Sequence, residues 1–403
     1  MHGRRDKMQQ MLLICNVNLH SHAGDITLME RRAECLQRHQ METVFLTIVN
    51  KTNEETYERD HIINTNVRNR NETILNYIKE HKPDILCFYG NKTLLLMPKI
   101  RKFVATMEAY SPKFMIDMQG ALEEDIDFVK GTKKLRAYPG YLAKRLLYRH
   151  CLNQCDAIFS VSEEMYQYAC RLSGNHKLDN YKFRCGVTTV IDTQTKVRAR
   201  KKVREEWGID ETKIVLCFTG YLSKWQNMNR TLEVCDLLNR YSQDFFFAFF
   251  CNSDKEFLRV LQQRFPKKNY VVSFLSKETY VETLCACDIG LLLREDAMTN
   301  YVAFPNKCSD YINAGLLCYI SSCLREPVRL LEEEALPYLP EQISVEELVT
   351  IAKERSKNLE GYYERAEAFC TRRLLFDTQF EEHKVGRLLE REGENEKKNR
   401  ICD

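Results

Sequence analysis

Residues 289–315 read IGLLLREDAMTNYVAFPNKCSDYINAG. An apolar run breaks into Arg294 and Glu295, a loop carries Asn300 and Phe304, and Pro305, Asn306 and Lys307 open an amphipathic run that stops at Gly315. Proline suits the first position of a helix, where its missing N–H costs nothing and its φ is already helical. A helix start presents unpaired backbone N–H groups and a partial positive charge. A lysine in that first turn is locally unfavourable unless an anion shares the site, and a phosphate would reconcile the two. Asp310 lies three residues after Lys307, on roughly the same face, where it would accept hydrogen bonds from sugar hydroxyls. The competing interpretation is an ordinary helix with a surface Lys–Asp pair.

Positioning such groups requires strands that end beside one another. Short apolar runs (11–17, 43–49, 84–90, 113–120, 156–164) alternate with helical patterns at 26–40 and 71–83. The alternation restarts with KIVLCFTG (213–220), FFFAFFCN (245–252), NYVVSFLS (269–276), IGLLLRE (289–295) and LLCYISS (316–322), separated by helical patterns at 228–241, 255–265 and 277–288. Strand–helix alternation predicts parallel sheets covered by helices. FFFAFF suits a central strand buried on both faces. The expected architecture is α/β with two Rossmann-like domains joined near residues 186–200, helical from about 342 to 391 and ending in a charged tail. Ligands of open α/β sheets bind beyond the carboxyl ends of the strands, and between two facing domains the expected site is their cleft.

Composition narrows the function. The 403 residues are 44% hydrophobic and 29% charged with a net charge of +3, an ordinary globular balance too weakly basic to argue for nucleic-acid binding. No window offers the run of about 18 apolar residues of a membrane span. MLLICNVNL near the N-terminus is read as a first buried strand, because a secretory signal has a longer apolar part ending in small residues. The 17 cysteines show no repeating spacing, which points to reduced core cysteines in a cytoplasmic protein.

In HSHAGDITLMERRAE, Gly24 stands where strand gives way to helix and would let a ligand approach the backbone. His20 and His22, two apart on a loop, read as solvent-facing. Asp125 and Asp127 form a D-x-D pair of the kind that holds a metal against a diphosphate. Two complete α/β domains argue instead for a metal-free site, so no cofactor is expected. The pattern at 138–150 sets Lys144, Arg145 and Arg149 among apolar residues; it is either a solvated face or a contact with an anionic membrane or lipid pyrophosphate.

PNKCSDYINAGLL (305–317) is similar to the P-x-K-x-x-E-Y-x-x-x-G-x-P segment of glycosyltransferase family 4, the group 1 glycosyltransferases, which have the two-domain GT-B fold. Some members precede it with Arg–Glu and Asn, like Arg294, Glu295 and Asn300. CFTGYLSKWQNMNRTLEV (217–234) resembles the strand, glycine and helix that meet the donor diphosphate in the family. AIFSVSEEMYQYA (157–169) and RCGV (184–187) resemble its first-domain strand–helix and interdomain turn.

The resemblance implies an enzyme that transfers a sugar from a nucleotide-diphosphate donor to a hydroxyl of a glycan or lipid-linked glycan, with retention and without metal. It implies donor contacts from Gly24, Gly220, Ser223, Lys224, Arg294, Glu295, Asn300, Phe304, Pro305, Asn306, Lys307 and Asp310, with Asp310 on the ribose and Lys224, Arg294 and Lys307 on the phosphates. MIDMQGA resembles the family's D-x-H-G loop, so Asp117, Gln119 and Gly120 are expected on the acceptor side. The domains implied are an acceptor-binding 1–188, a nucleotide-sugar-binding 189–370 and a C-terminal helix and tail, 371–403. The chain departs from the family pattern at Val302, where the first acid of an E-x7-E pair would fall, and at Tyr221, where an arginine follows the glycine. Lys224 and Gln226 compete for the lysine position of that motif. No catalytic carboxylate pair is evident, so no covalent mechanism is expected. The alternatives are a catalytically weak binding subunit of this fold and a nucleotide-sugar epimerase.

Overall fold

The computed structural model describes residues 8–17, 19, 24–49 and 61–388; His20, His22 and the charged tail lie outside them. The chain divides into two compact units, Met1–Arg184 with Phe376–Asp403, and Cys185–Leu375.

The first unit is built on seven strands: β1 (Gln9–Cys15), β2 (Met41–Val49), β3 (Ile62–Asn66), β4 (Ile85–Tyr89), β5 (Lys113–Met118), β6 (Ala157–Ser160) and β7 (Asp179–Lys182). Their order is β3-β2-β1-β4-β5-β6-β7, and every neighbouring pair is parallel. Leu12 of β1 sits opposite Val44 of β2 on one side and Leu86 of β4 on the other. β1 is thus interior to the sheet, and Met11 to Cys15 are all buried, so both of its faces are covered as well, which is why MLLIC is continuously apolar instead of alternating. The chain grows outward from β1 in one direction and then from β4 in the other, leaving a switch point between them.

The helix Phe376–Glu382 belongs to this first unit. Phe376 packs edge-on against Phe183 at 5.2 Å, Asp377 pairs with Arg38 at 2.8 Å, and the Arg184 backbone N–H donates to Gln379 Oε1 at 2.8 Å.

The second unit holds six parallel strands: β8 (Ile214–Thr219), β9 (Phe245–Phe250), β10 (Tyr270–Ser273), β11 (Ile289–Leu292), β12 (Leu317–Ile320) and β13 (Leu339–Pro340). Their order is β10-β9-β8-β11-β12-β13, so its switch point lies between β8 and β11. FFFAFF is β9, an interior strand between β8 and β10, as its unbroken apolar run requires.

The basic segment TKVRARKKVREEW forms a helix, Thr193–Trp207, begun by Asp192, whose side chain accepts from the Thr195 N–H, and ended by Gly208 in the left-handed region. Arg198, Lys201 and Lys202 are exposed, but the other basic residues are not. Lys196, Arg200 and Arg204 recur every fourth residue, share one side of the helix and are all buried. Arg200 and Arg204 meet Asp288 at 2.9 and 2.6 Å, and Arg355 of a later helix reaches the same carboxylate at 2.8 Å. Asp288 Oδ2 also accepts from the Val215 N–H at 2.8 Å. One buried acid thus ties two helices to β8 and to the start of β11. Among the described residues no cysteine is disulfide-bonded and all but Cys155 are buried, consistent with cysteine used as a small core residue.

Candidate functional site

The carboxyl ends of β8 and β11 flank the switch point of the second unit, and the sharpest of the expected residues gather there. β8 ends at Thr219 and is followed by Gly220 at φ +103°, a conformation that L side chains rarely adopt. A Cβ at this glycine would lie 2.9 Å from Cε of Lys307. The lysine, carried on the helix Asn306–Asn313, therefore runs directly across the turn after β8. Its ammonium donates to Gln226 Oε1 and stands 4.2 Å from the centre of the Phe218 ring.

β11 leads into Arg294, which is 8% exposed. Its backbone N–H donates to Ser321 Oγ at 2.9 Å. Among the described residues neither Arg294 nor Lys307 has a carboxylate within ion-pair distance. Burial pulls the Arg294 pKa down to about 10, which leaves it charged at neutral pH. Burial first, and the charge of Arg294 second, push the Lys307 ammonium well below its ordinary value of 10.5. Two cations held together in a poorly hydrated place raise the energy of the free protein, and an anion between or beside them would lower it.

Asp310, one turn along the same helix, is 9% exposed, and its Oδ2 accepts from the Tyr280 hydroxyl at 3.3 Å. Tyr280 also reaches Thr219 Oγ1, and Thr219 meets the Tyr311 hydroxyl at 3.1 Å through both its N–H and its side chain. The Tyr311 ring lies flat enough on β11 that a Cβ at Gly290 would overlap it. The competing interpretation, an exposed Lys–Asp pair, does not hold: Lys307 turns to Gln226 and Asp310 to Tyr280, and both are at least partly withdrawn from solvent.

The remaining expected residues divide. Pro305 precedes the helix as its cap, with φ −69° and ψ 136°, so Asn306 is the first helical residue. This shifts the expected start by one position and leaves Lys307 in the first turn. Phe304 is buried at 3% exposure and contributes packing. Asn300 faces inward, its amide donating to the Glu295 carbonyl at 2.8 Å and the Trp225 carbonyl at 3.4 Å; it braces two loops against each other. Glu295 is exposed, as is Lys224, which begins a short 3-10 turn after Ser223. Between Lys224 and Gln226, which competed for one motif position, it is Gln226 that meets Lys307. Val302 is core at 1% exposure and Tyr221 is 44% exposed.

In the first unit, Gly24 opens the helix Gly24–Arg38 after β1, at that unit's own switch point. Across it, Gly90 follows β4 at φ +90°, where a Cβ would come 2.5 Å from Asn16 Oδ1, and the Tyr89 hydroxyl donates to Asp25 at 2.9 Å. Asp117 is buried with both oxygens engaged: Oδ1 by Arg32 at 2.8 Å and Oδ2 by the Gln119 amide at 2.7 Å. Arg32 lies over the rings of Phe159 and Phe183 and donates to the Phe183 carbonyl at 2.8 Å. Asp117 therefore positions Gln119, which is half-buried beside an exposed Gly120. Asp125 pairs with Lys144 across neighbouring helices.

Sequence reasoning passed over Phe218, Tyr280, Tyr311 and Gly290. A glycine inside an otherwise apolar strand, IGLLL, was the available signal for close packing. The aromatic residues lay inside ordinary core patterns and gave none.

We expect Gly220→Ala to lower stability by about 1–2 kcal/mol through the left-handed backbone and to displace the lysine tail, weakening anion binding as well. Urea unfolding together with phosphate or nucleotide titration checks both effects; unchanged anion affinity would separate Gly220 from the site.

No protein-family model matches the sequence, and no curated protein sequence matches it. Solved structures do. WaaG, a glycosyltransferase involved in lipopolysaccharide biosynthesis, aligns over 93% of this chain and 99% of its own with a TM-score of 0.63 and 13% identity. A glycosyltransferase from Rickettsia africae ESF-5 aligns over 95% and 99%, with a TM-score of 0.65 and 10% identity. An alpha-glucosyltransferase in complex with UDP aligns over 94% and 100%, with a TM-score of 0.60 and 10% identity. These likenesses, together with the two parallel sheets, show the GT-B fold.

Proposed function

We propose that this protein is a glycosyltransferase of the family 4 kind, moving a sugar from a nucleotide-diphosphate donor to a hydroxyl of a glycan or lipid-linked glycan, with retention and without a bound metal. The observation that carries the reading is the pair Arg294 and Lys307: two withdrawn cations with no carboxylate within ion-pair distance among the described residues, at the carboxyl ends of β8 and β11, with the lysine laid across the side-chain-free Gly220. Such a site is matched to a diphosphate leaving group, whose charge builds as the glycosidic bond breaks. The helix start at Asn306 adds its backbone N–H groups. Asp310 faces the ribose hydroxyls, and Tyr280 holds its carboxylate in place. The alpha-glucosyltransferase of this fold is in complex with UDP, which supports a nucleotide donor for this chain too. Gln119 of the first unit, oriented by Asp117, is the proposed acceptor contact.

The fold alone does not specify chemistry. One observation favours a second reading, a binding subunit without turnover: Val302, where an acid is expected, belongs to the core. Saturable nucleotide-sugar binding without transfer, hydrolysis or epimerisation would identify that case.

UDP or GDP, or one of their sugars, should stabilise the protein in the presence of a chelator. At 100 times the dissociation constant the gain is about 2.7 kcal/mol, read as a rise in melting temperature. A shift that disappears on adding the chelator contradicts the metal-free site.

A further inference from the structure

The helix Thr132–Leu152 of the first unit presents a surface that the donor site does not explain. Four of the eleven exposed large apolar side chains among the described residues lie on it: Leu135 at 76%, Tyr138 at 47%, Leu142 at 42% and Leu146 at 68%. Their spacing, i, i+3, i+7 and i+11, places them in a single row along one side. Tyr141, Tyr148, Cys151 and Leu152 are buried, and the Tyr141 hydroxyl donates to Glu123 at 2.8 Å, so the helix is anchored through a different side from the row. A single exposed leucine is ordinary, whereas an ordered row is not.

The charge on the same helix says what covers the row. It carries Lys133, Lys134, Arg136, Lys144, Arg145 and Arg149 and no acidic residue. Lys144 is paired with Asp125 and Arg145 lies 3.4 Å from the Tyr141 hydroxyl. Lys133, Lys134, Arg136 and Arg149 pair with no carboxylate among the described residues. A second copy of this chain would bring its own row but also its own positive charges. Nucleic acid would match the charge and leave the leucines unexplained. An anionic lipid surface answers both, because leucine and tyrosine enter the acyl boundary while lysine and arginine stay among the headgroups. No helix among the described residues is long and apolar enough to cross a membrane, so the contact is peripheral.

We infer that Thr132–Leu152 is a membrane-docking helix that seats the first unit on anionic lipid. This does not depend on the donor site, which lies in the other unit. The test is co-sedimentation of the full chain with vesicles of phosphatidylglycerol and phosphatidylcholine, beside vesicles of phosphatidylcholine alone. Binding is expected to the anionic vesicles, to weaken as salt screens the headgroups, and to be at least about tenfold weaker on neutral ones. Leu135→Ser with Leu146→Ser should reduce it about tenfold or more, and Lys133→Glu with Lys134→Glu and Arg136→Glu should remove it. All five positions are exposed, and circular-dichroism melting verifies that the variants fold. Anionic-vesicle binding that survives the leucine changes overturns the inference. So does absence of vesicle binding with tight binding of a DNA duplex, or a dimer that the leucine changes dissolve. Nucleotide affinity should be unaltered in every variant, so failure here leaves the donor site standing.

Discussion

Replacing Asp288 with Asn should cost about 3–5 kcal/mol of stability, the range for removing one partner of a buried ionic cluster. The side chain keeps its size but loses the charge that faces Arg200, Arg204 and Arg355. Burial alone would raise the Asp288 pKa; the three arginines overcome it and hold the group at about 2, below the ordinary 3.8. A carboxylate whose pKa is depressed on folding contributes stability that is complete above the unfolded value. That contribution is lost as pH falls from about 3.8 toward about 2. The wild type should therefore lose stability across that window by a component that Asp288→Asn lacks. Urea midpoints measured at neutral pH and at acid pH check the size and the sign. A loss under about 1 kcal/mol at neutral pH would mean that the arginines find other partners.

Lys307→Met should act in opposite directions on the free and the liganded protein. In the free state the ammonium is withdrawn from water, near Arg294 and with no carboxylate partner among the described residues. A methionine fills similar space over Phe218 without the charge, so the free protein should gain about 1 kcal/mol or more. Donor affinity should fall by about 1.5–3 kcal/mol, the worth of a hydrogen bond to a charged group. The pH dependence follows from the lowered lysine pKa. The unfolded chain binds the proton more tightly, so the folded state gains stability as pH rises through the folded value toward 10.5, and loses it as pH falls back. Lys307→Met should flatten that rise. Stability that drops in the variant would mean that the lysine is a structural brace and not a held charge.

The sequence made the architecture legible wherever strands were interior. β1, β4, β5, β8, β9 and β11 are short apolar runs, and both sheets follow from them. The strands that went unseen, β3 (IINTN), β7 (DNYK) and β13 (two residues), all lie at sheet edges. An edge strand has one partner and less to bury, so it can lack an apolar run, although the edge strand β10 (YVVS) keeps one. The basic stretch at 195–210 concealed its role for a different reason. Charge in a sequence suggests solvent, and only the position of Asp288, some 80 residues away in the chain, turns Arg200 and Arg204 into buried ties.

The same distinction holds at the site. Arg294, Lys307 and Asp310 could be named because a proline, a cation and an acid at the start of one helix are locally unusual. Gln226 against Lys224 was undecidable from spacing, since the choice depends on which side chain the turn at Asn227, in the left-handed region, directs inward. Tyr280 and Tyr311 come to Asp310 and Thr219 through packing between elements, which no local pattern encodes.

Isothermal titration of UDP and GDP into the wild type, Lys307→Met and Asp310→Asn, in chelator at one salt concentration, tests the central claim most directly. One of the nucleotides should bind the wild type with a single saturable site, and both variants should weaken it roughly tenfold or more. Equal affinity in all three proteins, or no nucleotide binding to the wild type at all, would contradict a diphosphate site at the ends of β8 and β11.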